Sequence, residues 1–237
     1  MKKQIWLYTI YILFLVMIVS VLLVFSSKED RVFVIACDVG QGDAFLIQKK
    51  NIQIVIDGGK GSRVVDCLSK YIPFWDREIE LVVSTQPDLD HYEGLIAVFK
   101  SYDIKNYLST SLSSNAKSFE LLTSLIKSEN PKMINANSGL VLNIKNIFLE
   151  VLHPTFVDDR NSENNQSVVI LLKYGEFDAL FTADIEDAVS DEIANLQSVR
   201  SLEYLKVPHH GSKNGLSQKL FDAVGPEVSV ISVGKKN

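Results

Sequence analysis

The feature that most constrains this chain is an apolar run close to its N-terminus. Residues 5–25 contain no charged side chain, and Lys2 and Lys3 precede them. At about 1.5 Å per helical residue, a run of this length can cross the roughly 30 Å of hydrocarbon in a bilayer. The apolar core of a cleavable signal peptide is shorter, roughly 7–15 residues. We therefore predict one uncleaved transmembrane helix, with a signal peptide as the alternative.

The charges on either side of this run predict its orientation. Lys2 and Lys3 lie on the short N-terminal side, so the positive-inside rule places the N-terminus in the cytoplasm. Lys28 and Arg31 lie on the other flank and oppose this bias. The predicted organisation is a cytoplasmic N-terminus with its anchor at residues 1–27, followed by an extracytoplasmic domain at residues 31–237.

The composition excludes several classes of protein for the rest of the chain. A content of 46% hydrophobic and 22% charged residues with six prolines is typical of a globular domain, not of a disordered chain. The formal net charge of −5 excludes a uniformly basic surface that coats nucleic acid, but not a local basic path. Cys37 and Cys67 lack CxxC spacing and lie in apolar patterns, which predicts two buried thiols.

After the apolar run, short β-branched strands alternate with amphipathic helices. The predicted strands lie at residues 32–37, 44–48, 52–57, 81–84, 105–109, 140–142, 147–152, 168–174, 179–182, 204–207 and 228–232. The predicted helices lie at residues 62–71, 92–99, 119–128, 186–196 and 218–224. The first three strands should form an antiparallel meander. Two halves, each a set of strands followed by helices, predict two packed sheets with helices outside.

Acids and a histidine follow the predicted strand at residues 81–84, where a buried strand would normally continue into apolar residues. These are Asp88, Asp90 and His91, three potential ligands within four residues. Carboxylate oxygens and imidazole nitrogens at such a turn can converge on one cation. The alternative is structural, with Asp90 capping the next helix and Asp88 in solvent.

Three other strand ends carry the same residue types. His209 and His210 follow the strand at residues 204–207, and their adjacent side chains should diverge, so at most one binds a given metal directly. Asp184 follows another strand and His153 ends a third. Each alone is explained by capping or by burial in a core, but together they predict a metal site.

Six motifs of this sequence occur in the order seen in metallo-β-lactamase-fold proteins. They are D-V-G-Q-G-D-A at residues 38–44, V-I-D-G-G at 55–59, the segment 85–94, N-N-Q-S-V-V at 164–169, T-A-D at 182–184 and V-P-H-H-G-S-K at 207–213. More narrowly, they resemble the C-terminal hydrolase-like domain of ComEC-type DNA-uptake proteins. The resemblance covers nearly all of residues 31–237, and the D-V-G-Q-G-D and H-H-G-S pair is its most specific part.

The resemblance implies an α/β fold, an αββα sandwich with the metal site along one edge of the two sheets. It implies two divalent ions, zinc or manganese, and carries metal-binding roles to Asp88, Asp90, His91, Asp184 and His209, with His153 and Gln86 as further candidates. It implies catalytic roles for Asp90, for Asp184 as the bridging acid and for His210 as a proton donor to the leaving oxygen. Asp57 would brace the ligand loops, and Gln41 and Asp43 would lie beside the site.

The sequence departs from the family pattern in two places. The first motif begins with Gln86 where the family usually has histidine. An amide oxygen is a poorer zinc ligand than imidazole, so one of the two ions is expected to bind weakly or to be absent. The sequence also stops at Asn237, where similar chains continue, so we expect either that the chain is a fragment or that the last strand and helix of the sandwich are missing.

The implied function is that of a metal-dependent hydrolase at the bacterial cell membrane, a phosphodiesterase or nuclease that acts on DNA or nucleotides. Its implied partners are nucleic acid, the membrane and a DNA-uptake channel. The alternative is a catalytically weak or inactive binding module of the same fold, which Gln86 favours. Hydrolysis of a β-lactam or thioester ranks third, because one fold supports many chemistries.

Overall fold

The N-terminal segment forms a helix, α1 (Lys2–Ser26), within a unit of its own, Met1–Val32. The computed structural model describes residues 2–26, 30–111, 113–155, 162 and 164–235, with side chains in α1 only for residues 4–20. Over that part of the chain, no helix combines the length and the apolar character needed to span a membrane. The predicted helix is present, and the predicted membrane span is not confirmed.

The second unit, Phe33–Asn237, contains all of the strands that the structure describes. The strands are β1 (Phe33–Ala36), β2 (Phe45–Lys49), β3 (Ile52–Ile56), β4 (Glu78–Ile79), β5 (Leu81–Ser84), β6 (Asp103–Ile104), β7 (Asn106–Ser109), β8 (Lys132–Asn135), β9 (Val141–Ile144), β10 (Ile147–His153), β11 (Val169–Tyr174), β12 (Phe177–Phe181), β13 (Tyr204–Lys206) and β14 (Val228–Val230). The helices are α2 (Arg63–Tyr71), α3 (Leu89–Ser101), α4 (Lys117–Glu129), α5 (Asp187–Ile193) and α6 (Gln218–Val224), with 3-10 turns at Asn164–Gln166, Gln197–Val199 and Pro208–Gly211.

The strands form two six-stranded sheets. The first has the order β1-β2-β3-β5-β7-β8 and the second β14-β13-β12-β11-β10-β9, while β4 pairs with β6. In the first sheet, β1 to β3 are antiparallel, as the predicted meander requires, and the later pairs are parallel. Sequence analysis missed β4, β6 and β8, because two-residue strands and a largely exposed edge strand carry no clear apolar alternation.

The two sheets pack face to face with helices on their outer sides. Phe45 of β2 meets Phe181 of β12 with ring centroids 5.3 Å apart, which joins the inner faces. Leu68 of α2 and Leu95 of α3 are fully buried in the core outside the first sheet, and Leu220 of α6 in the core outside the second. Burying each such side chain contributes about 1.5–3 kcal/mol. The predicted αββα arrangement is confirmed.

The two cysteines form a disulfide, Cys37–Cys67, with Cα atoms 5.7 Å apart. The prediction of two free thiols is therefore wrong. The bond joins the segment after β1 to α2, and the sequence separation of 30 residues gave no sign that these elements pack together. Because residues 38–43 directly follow Cys37, the disulfide ties the start of the D-V-G-Q-G-D loop to the helical layer.

Candidate metal centre

Parallel strands bring the functional loops to one edge of the molecule. In the first sheet Ile56 of β3 pairs with Val83 of β5, and in the second Phe181 of β12 pairs with Lys206 of β13. Each of these four strands ends at the paired residue or one residue after it. The loops that follow parallel strands meet outside their carboxyl ends, which is where α/β sheets place their ligands.

The first motif lies between β5 and α3. This helix begins at Leu89, three residues before the predicted start, so Asp90 and His91 lie in its first turn. Asp88 occupies the N-cap position, but its side chain makes no capping hydrogen bond. The Oδ2 atom of Asp90 lies 3.4 Å from Nε2 of His210. Asp90 lies inside the helix and therefore does not have the capping role that the structural alternative gave it.

Asp57 holds the imidazole of His91 in one orientation. The fully buried carboxylate of Asp57 accepts hydrogen bonds from the backbone N–H of Thr85 at 2.8 Å and from its hydroxyl at 2.6 Å. Its Oδ2 also lies 2.9 Å from Nδ1 of His91, which donates to it. In the neutral imidazole, Nε2 of His91 would then carry the lone pair, and this atom lies 3.2 Å from Oδ2 of Asp184. Metal-binding histidines are commonly held by such a carboxylate.

His210 is held in the same manner by a carbonyl group. Its Nδ1 donates to the backbone oxygen of Ser232 at 2.7 Å. Its Nε2 lies 3.2 Å from Oδ2 of Asp184 and faces Asp90. Both histidines of the pair have left-handed backbone conformations, with φ 48° at His209 and 53° at His210. A conformation of that kind costs about 1–3 kcal/mol in a residue other than glycine and persists where the surrounding structure requires it.

The structure brings together four predicted residues: Asp90, His91, Asp184 and His210. The ligand atoms of Asp90, His91 and His210 lie within 4.8 Å of one another. The Nε2 atoms of both histidines are buried and make no hydrogen bond, although Asp184 lies 3.2 Å from each. Two imidazole nitrogens and two carboxylates that converge in a buried space need compensating positive charge, which either protons on the imidazoles or a bound cation can supply, so this arrangement fits a metal ion. Two imidazoles and two carboxylates suit zinc or manganese.

The pair of adjacent histidines differs from its prediction. His210, the predicted proton donor, faces the cluster, whereas His209, the predicted ligand, is half-buried and outside both candidate metal groups among the described residues. The buried Nδ1 of His209 makes no hydrogen bond. Adjacent side chains diverge here as expected, but only the folded backbone decides which of the two turns inward.

Asp43 joins the site through a close approach of the D-V-G-Q-G-D loop to α3. Its backbone N–H donates to the Asp90 carbonyl at 3.1 Å. A Cβ atom on the preceding Gly42, at φ 112°, would lie 1.9 Å from that carbonyl oxygen, so the approach requires glycine. Asp43, His91 and Asp184 form a second group of potential ligands within 4.8 Å.

Lys206 lies within the candidate site, although it was not among the predicted site residues. Its ammonium group is buried between the two carboxylates, with Nζ 2.5 Å from Oδ2 of Asp43 and 3.3 Å from Oδ1 of Asp184. Its position in the sequence could have indicated this, because a lysine within the apolar strand β13 is unusual. A fully buried lysine is almost always paired with an acidic group.

The remaining predicted ligands are engaged elsewhere. Oε1 of Gln86 accepts a hydrogen bond from the Ser167 hydroxyl. Nε2 of His153 donates to the Asn165 carbonyl at 2.8 Å. Neither His153 nor Asp88 belongs to a candidate metal group within the described part of the chain. Gln41 accepts from the Gly234 N–H at 3.0 Å and lies beside the site without facing it.

The clustered charges shift the pKa values of the site. Burial opposes protonation of His210, but Asp184 and Asp90 outweigh it and raise its pKa to about 9. Burial opposes protonation of His91 too, and there Asp184 and Asp57 raise the pKa well above its ordinary value. Burial would raise the pKa of Asp184, yet His91, His210 and Lys206 hold it far below its usual range. A metal must therefore displace protons from these imidazoles.

We expect the metal-free protein to lose stability as the pH rises through 9. The pKa of His210 is raised from 6.5 to about 9, so its protonation contributes stability that is complete below pH 6.5 and lost above 9. Thermal unfolding of chelator-treated protein at pH 6.5 and 9.5 measures this loss, which His210→Gln should reduce. The same loss in both proteins would contradict the assignment.

Two curated relatives are similar to this chain. It is 25% identical to ComE operon protein 3 of Bacillus subtilis (strain 168) over 235 residues, which cover 89% of the chain and 29% of that protein. It is 27% identical to Recombination protein 2 of Haemophilus influenzae over 206 residues, which cover 84% and 24%. These relatives confirm the resemblance to ComEC-type proteins, and the chain spans 24–29% of their length. No protein-family model matches the chain.

Solved structures show the fold. The metallo-β-lactamase fold protein YhfI from Bacillus subtilis aligns with a TM-score of 0.51 and 16% identity, covering 74% of this chain and 69% of that one. The short form of human tRNase Z aligns with a TM-score of 0.59 and 10% identity, covering 86% and 93%. The second unit therefore has the metallo-β-lactamase fold, as the motifs predicted.

Proposed function

We propose that this protein is a metal-dependent hydrolase that cleaves phosphodiester bonds in DNA or nucleotides. The observation that carries the proposal is the convergence of the buried Nε2 atoms of His91 and His210 with the carboxylates of Asp90 and Asp184. Asp90, His91, Asp184 and His210 would hold a divalent ion, which would supply a Lewis acid and lower the pKa of water. Asp57 and the Ser232 carbonyl keep the two imidazoles aimed at it.

We assign the proton transfer to His209. Its ring lies beside that of His210, with centroids 6.4 Å apart, and its Nδ1 has no hydrogen-bond partner. A half-buried imidazole outside the ligand group is free to protonate a leaving oxygen. The two histidines thus exchange the roles that the resemblance implied.

The choice of a phosphodiester rests on two lines of support. One relative is named Recombination protein 2 and one structural neighbour is a tRNase. The chain itself contains a cavity of about 370 Å³ between β5, β7 and α4. Its lining includes Gln86 and Pro87 of the first motif together with Tyr107, Phe119 and Lys127. That volume is within the range of ligand pockets, roughly 300–1,000 Å³, and aromatic walls suit a nucleobase.

We expect Thr123→Trp to weaken hydrolysis of nucleic acid selectively. Thr123 of α4 lines the cavity, so an indole there would fill the space proposed for the base. KM for a dinucleotide should rise roughly 10-fold or more, corresponding to about 1.4 kcal/mol, with little change for a small chromogenic phosphodiester. Ser124→Trp on the exposed side of the same helix is the control. Equal effects on both substrates would show that the cavity holds no base.

The decisive experiment measures turnover. The full chain in detergent, stripped by chelator and reloaded with Mn²⁺ or Zn²⁺, should hydrolyse bis(p-nitrophenyl) phosphate and single-stranded DNA. Chelator should abolish both activities. Absence of turnover with either ion would reject the hydrolase and leave the fold in place.

A binding module is the second candidate. It is favoured by the hydrogen bonds that hold Gln86 and His153 away from the cluster, because a two-metal site then lacks its first set of ligands. Such a module would bind single-stranded DNA in the presence of metal without cleaving it. Fluorescence anisotropy with labelled DNA, paired with the turnover assay, distinguishes the two functions.

The proposal includes an N-terminal anchor with the domain outside the cytoplasm. The uncharged run at residues 5–25 supports the anchor. The Cys37–Cys67 disulfide supports an oxidising compartment, because disulfides rarely persist in the cytosol. Fractionation of bacterial cells that express the full chain, followed by protease treatment of spheroplasts, tests both points. Recovery in the soluble fraction would reject the anchor, and protection from protease would reject the orientation.

A further inference from the structure

Lys206 offers a full set of hydrogen bonds within the candidate metal centre. Its Nζ donates to the Ala183 carbonyl at 2.6 Å, and the oxygens of Asp43 and Asp184 lie at 2.5 and 3.3 Å. Three acceptors match the three N–H groups of an ammonium ion, so the geometry is that of the charged form. The side chain is 1% exposed, so bulk solvent does not compete for these hydrogen bonds.

The ammonium group lies where a second cation would find its ligands. Asp43, His91 and Asp184 form a group whose ligand atoms lie within 4.8 Å of one another. Lys206 contacts Oδ2 of Asp43 and Oδ1 of Asp184. Asp184 therefore presents Oδ2 to the two histidines while its other oxygen is taken, so it cannot bridge two ions as it stands.

We propose that the Lys206 ammonium group replaces a second metal ion, so that the centre holds one divalent cation and one built-in lysine charge. This inference rests on the proposed metal centre and specifies its stoichiometry. The charges agree with it: the carboxylates of Asp43, Asp90 and Asp184 face the centre, and one divalent ion with one ammonium group neutralises them. Lys206 is a positioning residue, since it acts through the two aspartates.

The test compares manganese binding in the full-length parent protein and in Lys206→Met, which keeps the length of the side chain and removes its charge. After equilibrium dialysis, we expect about one Mn²⁺ per parent chain, with the electron paramagnetic resonance signal of an isolated ion. Lys206→Met should bind about two, with the signal of a coupled pair, as in two-metal sites. Lys213→Met, on the exposed part of the neighbouring loop, and the charge-conserving Lys206→Arg should both remain at one.

A second readout is independent of ion counting. Without metal, Lys206→Met leaves two buried carboxylates uncompensated, so its melting temperature should fall below that of the parent, and saturating Mn²⁺ should restore it. Failure of the variant to fold even with Mn²⁺ would overturn the inference, because the released carboxylates should then bind the ion.

The outcomes separate this inference from the proposed function. Two ions in the parent, or one ion in both proteins, would overturn the replacement by lysine and leave the metal-dependent hydrolase standing. No ion in either protein would overturn the metal centre itself, and the inference with it.

Discussion

Asp184→Asn should abolish tight metal binding and, with it, hydrolysis. Asp184 lies 3.2 Å from Nε2 of His91 and from Nε2 of His210, and it also contacts Lys206. Asparagine would put a neutral amide in place of the anion that these three side chains share. Outer-shell partners of metal ligands change affinity roughly 10–100-fold, and the loss of a charged ligand should exceed that range. Isothermal titration with Zn²⁺ or Mn²⁺ and the turnover assay measure the two effects.

Asp187→Asn provides the matched control for this variant. Asp187 lies three residues further along the chain, exposed in the first turn of α5, and should leave both measurements unchanged. The asparagine at position 184 should also destabilise the metal-free protein by about 3 kcal/mol, because Lys206 loses a buried partner. Metal affinity equal to that of the parent would remove Asp184 from the ligand set.

His210→Ala and His209→Ala should separate metal binding from proton transfer. Without the His210 imidazole, metal affinity should fall more than about 100-fold. The reason is the loss of a direct ligand that the Ser232 carbonyl holds in position. Without the His209 imidazole, affinity should be unchanged and kcat should fall roughly 10²-fold or more, the contribution of a general acid.

The leaving group provides a further check on His209. A substrate whose leaving oxygen needs no proton, such as a nitrophenyl ester, should be hydrolysed by His209→Ala almost as fast as by the parent. The reverse pattern, with metal lost in His209→Ala and kept in His210→Ala, would restore the assignment that the resemblance implied.

Much of the fold could be predicted because buried strands and helices have characteristic patterns of apolar residues within their own segments. Strand β5 and helix α6 have their predicted bounds, since short apolar runs and periodic helices are visible within the segment itself. Helix α3 begins before its predicted start because Leu89, Asp90 and His91 carry no apolar periodicity that marks a first turn. Short strands such as β4 lack any such pattern.

The chain order of the motifs identified the fold and the segments that form the site. Acids and histidines at the ends of predicted strands can be recognised from the sequence alone. They indicate a site because burying such residues is costly unless a partner compensates them. This pattern predicts Asp90, His91 and Asp184 as site residues, and the family resemblance implies the role of Asp57, whose carboxylate contacts His91.

Only the tertiary structure determines which of these residues contact one another. The backbone turn at Pro208–Gly211 places His210, and not His209, beside Asp90 and Asp184. The packing of β1 on α2 joins Cys37 to Cys67, and the contact between the two sheets brings Lys206 to Asp43. Each of these depends on distances between segments far apart in the chain. The sequence shows which charged side chains lie in apolar segments. The partner that compensates such a buried charge is determined by the packing of the whole fold.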